Sequence, residues 1–396
     1  MRIAMFHLMP WPYLPEDFEQ REPSAWVTYS NANFDPERGQ ELYERYISEL
    51  VYAEELGFDA VSVNEHHQTA YGLMPAPNLI AMALIQRTQR VQIAIIGNAI
   101  ALRDHPLRVA EEVAMLDVMS GGRIVSGIVR GIGAEYHSAS LNPVHSEERF
   151  REAHDLIVAA WTRPGPFAWH GKHYDFSYVN PWPRPMQKPH PPLWVPTQGS
   201  GSTVVWAAER RHPVAQTAAP VANLARTMDQ YWKAARSFGY EPHPHQLGWS
   251  PPIYVGKDDE TAMEEFAPHV RYLYEKSRHR PPAAFFPPGY LSASSWKGVM
   301  AARGSLGREH PSPEEYNARG EIVVGGPKTV LRRLQEVIDA TGIGTLLPML
   351  HTGTMTHEQT IANMERFAEH VMPALADYLP SAPPRPELLE SGKVAS

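Results

Sequence analysis

Short β-strand-like runs alternate with amphipathic stretches of helical period along roughly the first 375 residues of this chain. Alternation of this kind is typical of a parallel α/β fold, because parallel strands need crossover connections that are usually helices. Eight such units predict a single-domain (β/α)8 barrel, or TIM barrel, with long insertions. The predicted strands are Arg2–Phe6, Ala60–Glu65, Val91–Ile96, Arg123–Val129, Leu193–Pro196, Pro213–Gln216, Leu247–Val255 and Gly344–Leu350. The predicted helices are Glu37–Glu55, Asn78–Arg87, Pro106–Met119, Ser146–Thr162, Thr203–Arg210, Leu224–Phe238, one that begins near Thr261, Pro327–Ala340 and His357–Leu375.

A doubly wound sheet made of two halves is the alternative fold for the same alternation. Its usual nucleotide-binding fingerprint is G-x-G-x-x-G at the start of a helix. The run that begins Gly131-Ile132-Gly133 lacks the third glycine, and the run Gln198–Gly201 is too short. The missing fingerprint favours the barrel.

Two segments rich in proline and aromatic residues show no periodicity, namely residues 7–36 and residues 278–320. Both are longer than ordinary connections, and such loops tend to be lids or binding loops. We therefore expect one barrel domain over residues 1–379, in which both segments act as lid loops. Residues 380–396 are expected to form a disordered tail.

Composition excludes several classes of function. The chain has 36 Lys and Arg against 44 Asp and Glu, and its net charge of −8 argues against a nucleic-acid partner, because phosphate binding needs a basic face. The absence of cysteine excludes disulfides, thiolate metal sites and cysteine nucleophiles. No apolar run approaches the length of about 18 residues that a membrane helix needs, and the proline-broken start is a poor signal peptide. We expect a cytoplasmic protein without a membrane partner.

The second predicted strand ends in Asn64-Glu65-His66-His67, and catalytic residues of a barrel gather where strands end. Side chains alternate along a strand, so His66 should face inward with Ser62 and Asn64. An imidazole there can act as a general base or a hydrogen-bond donor. The alternative is a structural histidine pair that caps the strand. No metal site is expected, because His66 and His67 diverge and no motif supplies a third ligand.

Three other strand ends carry candidate binding residues. Gly97 and Asn98 follow the third strand, where glycine permits close approach of a flat ligand, although an ordinary strand end is the simpler reading. Arg130 follows the fourth strand and shares the parity of Ser126, which predicts an inward guanidinium that meets an anion, a carbonyl or a neighbouring carboxylate. The loop Thr197–Thr203 suits a phosphate through its small residues and the helix that follows it, and a plain N-cap by Ser202 is the alternative.

These motifs occur together in an order and spacing that resemble the bacterial luciferase-like, flavin-dependent monooxygenases. The similarity extends over roughly residues 37–220 and again over residues 321–375. The residues that carry it are Glu65-His66-His67, Gly97-Asn98, His105-Pro106, Ala110-Glu111-Glu112, Leu116-Asp117, Ser120–Arg123, Val129-Arg130-Gly131, Glu148–Glu152, Pro192–Val195 and Gly325-Gly326-Pro327.

The resemblance implies a barrel that binds FMN at its mouth, with His66 as the catalytic residue. It also implies a non-proline cis peptide behind the flavin ring at Gly97–Asn98, and a phosphate site at Gly199, Ser200 and Thr203 with Arg130 nearby. Val129 stands where luciferase itself has a cysteine beside the flavin, and Gly199 replaces an acidic residue. The first departure argues against light emission but leaves flavin binding intact.

The activity implied is oxygenation of a small organic substrate by reduced FMN (FMNH2) and O2 through a C4a-peroxyflavin. The chain has no nicotinamide fingerprint, so a separate NAD(P)H:flavin reductase is expected to supply the reduced flavin. The aromatic loops favour an apolar substrate. The resemblance also implies a homodimer formed through the helices that follow strands two and three.

Three other functions remain as alternatives. A deazaflavin-dependent oxidoreductase could use the same barrel. A non-catalytic flavin-binding protein is disfavoured because it would need neither His66 nor Arg130, and a flavin-independent metallohydrolase is the weakest alternative.

Overall fold

Eight parallel strands form a closed barrel in the computed structural model, which describes residues 1–217, 219–291, 310–380 and 383–385. The strands around the barrel follow the order β1-β12-β9-β8-β7-β4-β3-β2. This closed order confirms the predicted (β/α)8 barrel and excludes the doubly wound sheet. The barrel strands are β1 Arg2–Phe6, β2 Ala60–Val63, β3 Gln92–Ala99, β4 Ile124–Val129, β7 Leu193–Thr197, β8 Val214–Thr217, β9 Leu247–Ser250 and β12 Thr345–Leu346.

Helices surround the barrel, and the longer ones agree closely with the sequence pattern. The predicted helix Ser146–Thr162 has these bounds in the structure. The α-helices are α1 Phe18–Arg21, α2 Pro36–Glu55, α3 Pro77–Arg87, α4 Leu107–Met119, α5 Gly133–Ser138, α6 Ser146–Thr162, α7 Gly201–Glu209, α8 Val221–Ser237, α9 Asp259–Arg271, α10 Pro282–Phe285, α11 Pro313–Ala318, α12 Pro327–Thr341, α13 His357–His370 and α14 Met372–Leu375. A π-helical segment, Tyr272–Ser277, continues α9.

Two predicted strands differ most from the structure, and β3 also continues past its predicted end at Ile96 to include Gly97 and Asn98. The predicted strand Leu247–Val255 is divided at Pro251 and Pro252, which cannot donate to a strand ladder. Its second part is β10, Ile253–Val255, which leaves the barrel and pairs with β11, Val323–Gly325. The last barrel strand is also shorter than predicted, because only Thr345–Leu346 pairs on both sides.

Alternate residues of each strand separate the barrel interior from the layer beneath the helices. Ala4, Phe6, Ala94, Val125 and Trp194 come from four strands and form one buried cluster, which fills the interior. On β4, Ile124 and Ile128 instead belong to the cluster between strands and helices. Ser126 shares their side, so its predicted inward direction is wrong.

The predicted insertions contain ordered structure as well as irregular chain. The first, residues 7–36, contains α1 and a 3-10 turn at Asn31–Asn33. Between α6 and β7, an antiparallel hairpin is formed by β5 Phe167–His170 and β6 Asp175–Val179. Residues 292–309 of the second insertion lie outside the described residues, as do residues 381–382 and 386–396 of the predicted tail.

None of the helices in the described ranges combines the length and the apolar character that crossing a lipid bilayer requires.

Candidate active site

His66 lies just beyond β2, where its ring is held by a buried carboxylate. Its Nδ1 is 2.9 Å from Oε1 of Glu135, a side chain that is only 2% exposed. The other oxygen of Glu135 accepts a hydrogen bond from the backbone N–H of Ile132 at 2.8 Å. An ionised carboxylate can only accept, so the pair places the His66 proton on Nδ1 and leaves Nε2 as the free ring nitrogen.

Sequence reasoning missed Glu135 as the partner of His66. Glu135 stands in the first turn of α5, only a few residues after Arg130 at the end of β4. The signal that could have found it is an acidic residue in a short helix that begins at the mouth of the barrel.

Two aromatic side chains form a wall beside the His66 ring. The rings of Trp26 and Tyr71 each meet it edge to face, with centroids 5.2 and 5.1 Å away. Trp26 also stacks on Tyr71 and donates its indole N–H to the carbonyl of Ser277 at 3.2 Å. The first insertion is therefore fixed both to the end of β2 and to the π-helical segment.

His67 points away from His66, as the alternation of side chains requires. Its Nε2 is 2.6 Å from Oε1 of Glu65, which has no solvent exposure. Oε2 of Glu65 lies 2.8 Å from Arg103 and accepts from the backbone N–H of Ala99 at 3.3 Å. This network ties the end of β2 to the end of β3, so His67 has a structural partner rather than a place at the mouth.

The end of β3 contains the predicted non-proline cis peptide, but one residue earlier than expected. The cis bond joins Ile96 to Gly97, so the prediction of Gly97–Asn98 is wrong. A Cβ at Gly97 would lie 2.5 Å from the backbone carbon of Gly127, so the backbones of β3 and β4 approach more closely here than any side chain allows.

The Asn98 side chain turns away from the mouth. It is fully buried and exchanges two amide hydrogen bonds with Asn78 of α3, at 3.1 and 3.2 Å. Its backbone alone is left for a ligand at the mouth. Val129, at the end of β4, packs partly buried against Ala99, Leu102 and Tyr136.

Arg130 follows β4 and is held by aromatic rings. Its guanidinium carbon lies 4.4 Å from the centre of the Tyr290 ring, and Tyr290 donates its hydroxyl to the carbonyl of Gly131 at 2.7 Å. Tyr136 donates to the carbonyl of Arg130 itself at 2.6 Å. Among the described residues Arg130 forms no ion pair, so its observed partner is the Tyr290 ring and not a neighbouring carboxylate.

The loop after β7 leads into α7 with small residues and an open first turn. Gly199 has a φ of +86°, and a Cβ there would lie 3.0 Å from the hydroxyl of Thr227. Ser200 occupies the N-cap position without a capping bond from its side chain, so the alternative of Ser202 as the N-cap is wrong. Ser200 and Ser202 are exposed and Thr203 is half-buried, so hydroxyl and backbone N–H groups are available together at this end of α7.

The mouth of the barrel is lined by buried polar atoms that have no partner within the described residues. Ser62 Oγ and Asn64 Oδ1 are such atoms at the end of β2, Ser250 Oγ is one at the end of β9, and Thr352 Oγ1 is one in the segment that follows β12. A buried polar group without a hydrogen bond costs about 1–3 kcal/mol, so an interior with several of them is suited to a polar ligand.

A buried charge cluster that begins just after β1 brings His7, Glu49 and His351 within reach of one another. The two imidazole rings stack at 4.7 Å with an angle of 17°, so their in-plane lone pairs do not converge on one ion. Glu49 is also bound by Arg45 at 2.8 Å and His357 at 3.0 Å. Burial alone would raise the pKa of Glu49, but the hydrogen bond from His7 and the nearby charges hold it below its usual value. The geometry is that of a structural charge cluster.

Comparison with known proteins gives one matching family and several relatives. The family described as luciferase-like monooxygenase matches residues 25–344. An alkanal monooxygenase alpha chain of Photobacterium leiognathi is 26% identical over 350 residues, which cover 86% of this chain and 96% of that protein. The oxygenase component of a flavin-dependent trigonelline monooxygenase of Acinetobacter baylyi is 25% identical over 354 residues, which cover 87% and 92%.

Solved structures share the fold at lower identity. The monooxygenase RslO1 of Streptomyces bottropensis has a TM-score of 0.73 at 24% identity, covering 94% of this chain and 99% of that one. The oxygenating constituent of 3,6-diketocamphane monooxygenase of Pseudomonas putida, in complex with FMN, has a TM-score of 0.70 at 19% identity, covering 94% and 98%. An F420-dependent secondary alcohol dehydrogenase has a TM-score of 0.65 at 18% identity, covering 95% and 99%.

Proposed function

The chain belongs to the luciferase-like monooxygenase family, and we propose that it is the oxygenase of a two-component system that uses reduced FMN and O2 on a small organic substrate. The observation that carries this proposal is the His66–Glu135 pair at the barrel mouth. It leaves one basic ring nitrogen beside an interior lined with unpartnered polar atoms.

The residues at the mouth fit FMN. The open first turn of α7, with Ser200, Thr203 and the permissive Gly199, would hold the phosphate, and Arg130 would supply positive charge. The close-packed Gly97 backbone and the half-buried Val129 would lie against the flat ring. When bound and reduced, the flavin supplies the electrons that activate O2, so that one oxygen atom enters the substrate and the other leaves as water.

His66 would hold or release a proton at Nε2 during oxygenation, because Glu135 fixes the proton on Nδ1. Trp26 and Tyr71 would keep water from the reacting atoms, since they cover one side of the imidazole. The first insertion would therefore act as a lid loop. We propose the same role for the second insertion, and a single barrel domain over residues 1–379.

The partner of this oxygenase would be a separate NAD(P)H:flavin reductase. The relative from Acinetobacter baylyi is named an oxygenase component, which supports this division of labour. The cytoplasmic location stays a prediction from composition.

We also propose that two copies associate through α3 and α4. Leu79 on α3 is 72% exposed, and Met115 and Met119 on α4 are 52% and 44% exposed. Large apolar side chains at helical spacing on neighbouring outer helices mark a surface for protein contact. A second copy of this chain would cover these three side chains.

Spectroscopic titration tests the cofactor, and oxygen consumption tests the reaction. FMN should bind to the purified chain more tightly than F420, the coenzyme that the structurally similar alcohol dehydrogenase uses. With photoreduced FMN, a substrate screen should give oxygen uptake coupled to product, and His66→Ala should lower turnover by about 10²- to 10⁴-fold. His170→Ala, on the exposed hairpin, is the matched control. Preference for F420, or unchanged turnover in His66→Ala, would contradict the proposal.

A further inference from the structure

Arg280 lies between two aromatic rings at the edge of the candidate active site. Its guanidinium carbon is 4.9 Å from the centre of the Trp26 ring and 4.2 Å from that of Phe285. Trp26 is the residue whose ring also meets His66 edge to face. One indole therefore contacts both the proposed proton-transfer group and this arginine.

Backbone contacts of the surrounding segment fix the position of Arg280. The carbonyl of His279 accepts from the backbone N–H of Ala25 at 2.9 Å, which joins this segment to the first insertion. Phe285 and Pro287 pack so closely on Gly133 of α5 that a Cβ would not fit there. The segment from 279 to 287 is thus held against the helix that carries Glu135.

Most N–H groups of Arg280 have no acceptor among the described residues. Among the described residues, only Nη1 is seen to donate, to the carbonyl of Arg278 at 3.3 Å, and no carboxylate forms an ion pair with the guanidinium. Both oxygens of Glu135 are taken by His66 and by the backbone of Ile132. Burial, with the adjacent charge of Arg278, lowers the pKa of Arg280 to about 9, and the group stays cationic at neutral pH.

Two other sheltered arginines of this chain have buried carboxylate partners, whereas Arg130 has none among the described residues. Arg45 binds Glu49 and Arg103 binds Glu65, each at 2.8 Å. A sheltered cation without a partner is costly. With Trp26 and Phe285 beside the guanidinium and one bond made by Nη1, its remaining N–H groups are left to donate, and paired guanidinium N–H donors match a carboxylate.

We propose that the substrate carries an acidic group, a carboxylate in the simplest case, that binds the edge of Arg280 while its apolar body lies along Trp26 toward His66. The inference rests on the proposed function and refines it, because the aromatic wall accounts for an apolar body and Arg280 for a charged end. The flavin phosphate is a less suitable anion for Arg280. Its proposed loop follows β7, whereas Arg280 contacts Trp26 beside His66, which follows β2. The strands β3 and β4 separate β7 from β2 in the barrel.

Calorimetric binding of matched acid and amide pairs tests this inference on the full chain, with and without FMN. The probes are 3-phenylpropionate with 3-phenylpropionamide and decanoate with decanamide. We expect at least one acid to bind about tenfold more tightly than its amide, and Arg280→Gln to reduce this preference to below about threefold. Arg280→Lys should retain part of it. Arg271→Gln, which alters an exposed arginine on α9, should leave it unchanged.

Three outcomes would overturn the inference. The first is that no acid binds better than its amide to the unaltered chain, and the second is that Arg280→Gln and Arg280→Lys both keep the full preference. The third is that Arg280→Gln weakens FMN about tenfold while acids bind as before, which would assign the arginine to the flavin. Normal FMN binding without any acid preference would leave the proposed function standing and refute only the acidic substrate.

Discussion

Replacement of Glu135 by glutamine should disturb His66 without emptying the space around it. The Nδ1–Oε1 distance of 2.9 Å and the 2% exposure of Glu135 describe a sheltered, charge-assisted hydrogen bond. Such a bond contributes about 1.5–3 kcal/mol, which corresponds to about 10- to 150-fold in rate if it is needed in the transition state. A glutamine amide can also donate to Nδ1, which would move the ring proton to Nε2 and remove the basic nitrogen from the mouth.

The assay is the nitrogen NMR spectrum of the His66 ring at about pH 8.5, since the two neutral tautomers give distinct shifts. We expect the Nδ1–H form in the unaltered chain and a population of the Nε2–H form in Glu135→Gln. Coupled oxygen consumption should fall by the same 10- to 150-fold range, and FMN affinity should change by less than about threefold. Glu147→Gln, at an exposed position on α6, is the control. An Nε2–H ring in the unaltered chain would refute the reasoning.

Three further predictions concern the scaffold. Gly97→Ala should lower the free energy of unfolding by about 3 kcal/mol or more and abolish FMN binding, because its Cβ would fall 2.5 Å from the backbone of Gly127. Chemical denaturation measures the change, and a loss below about 1 kcal/mol would contradict the close approach. Burial lowers the pKa of His212 to about 3, aided by the adjacent His154, and burial lowers the pKa of His269 to about 4. The unfolded chain therefore binds more protons than the folded chain below about pH 6.5. The contribution of these two neutral histidines to the free energy of unfolding is complete above that pH and is lost as the pH falls toward 4. A melting temperature that is constant over that window would contradict this. Leu79→Lys with Met115→Lys should give monomers in sedimentation, whereas Val144→Lys, at an exposed site off α3 and α4, should not; a monomeric unaltered chain would refute the proposed dimer.

The barrel could be predicted from the sequence because each of its units carries its own period. Strand runs with period two and helices with period 3.6 identify elements one at a time, and the right number of them implies closure. The division of Leu247–Val255 was missed because an apolar run does not reveal which partner strand it will meet. The two prolines inside the run were the signal that it ends early.

The candidate site was predictable only in part. Strand ends indicated His66, but Glu135 reaches it from another unit of the barrel, and contacts between distant segments leave no spacing in the sequence. The parity that Ser126 shares with Arg130 predicts an inward side chain, whereas the interior receives Val125. The proposed role of Arg280 leaves no signal in the sequence for the same reason, since its aromatic neighbour Trp26 stands in the other insertion.

A crystal structure of the protein soaked with FMN tests the central claim most directly. The account predicts the phosphate at the first turn of α7, near Ser200 and Thr203, and the ring at the mouth of the barrel within contact of His66. A flavin bound elsewhere on the barrel, or a mouth that stays free of FMN at saturating concentration, would contradict it.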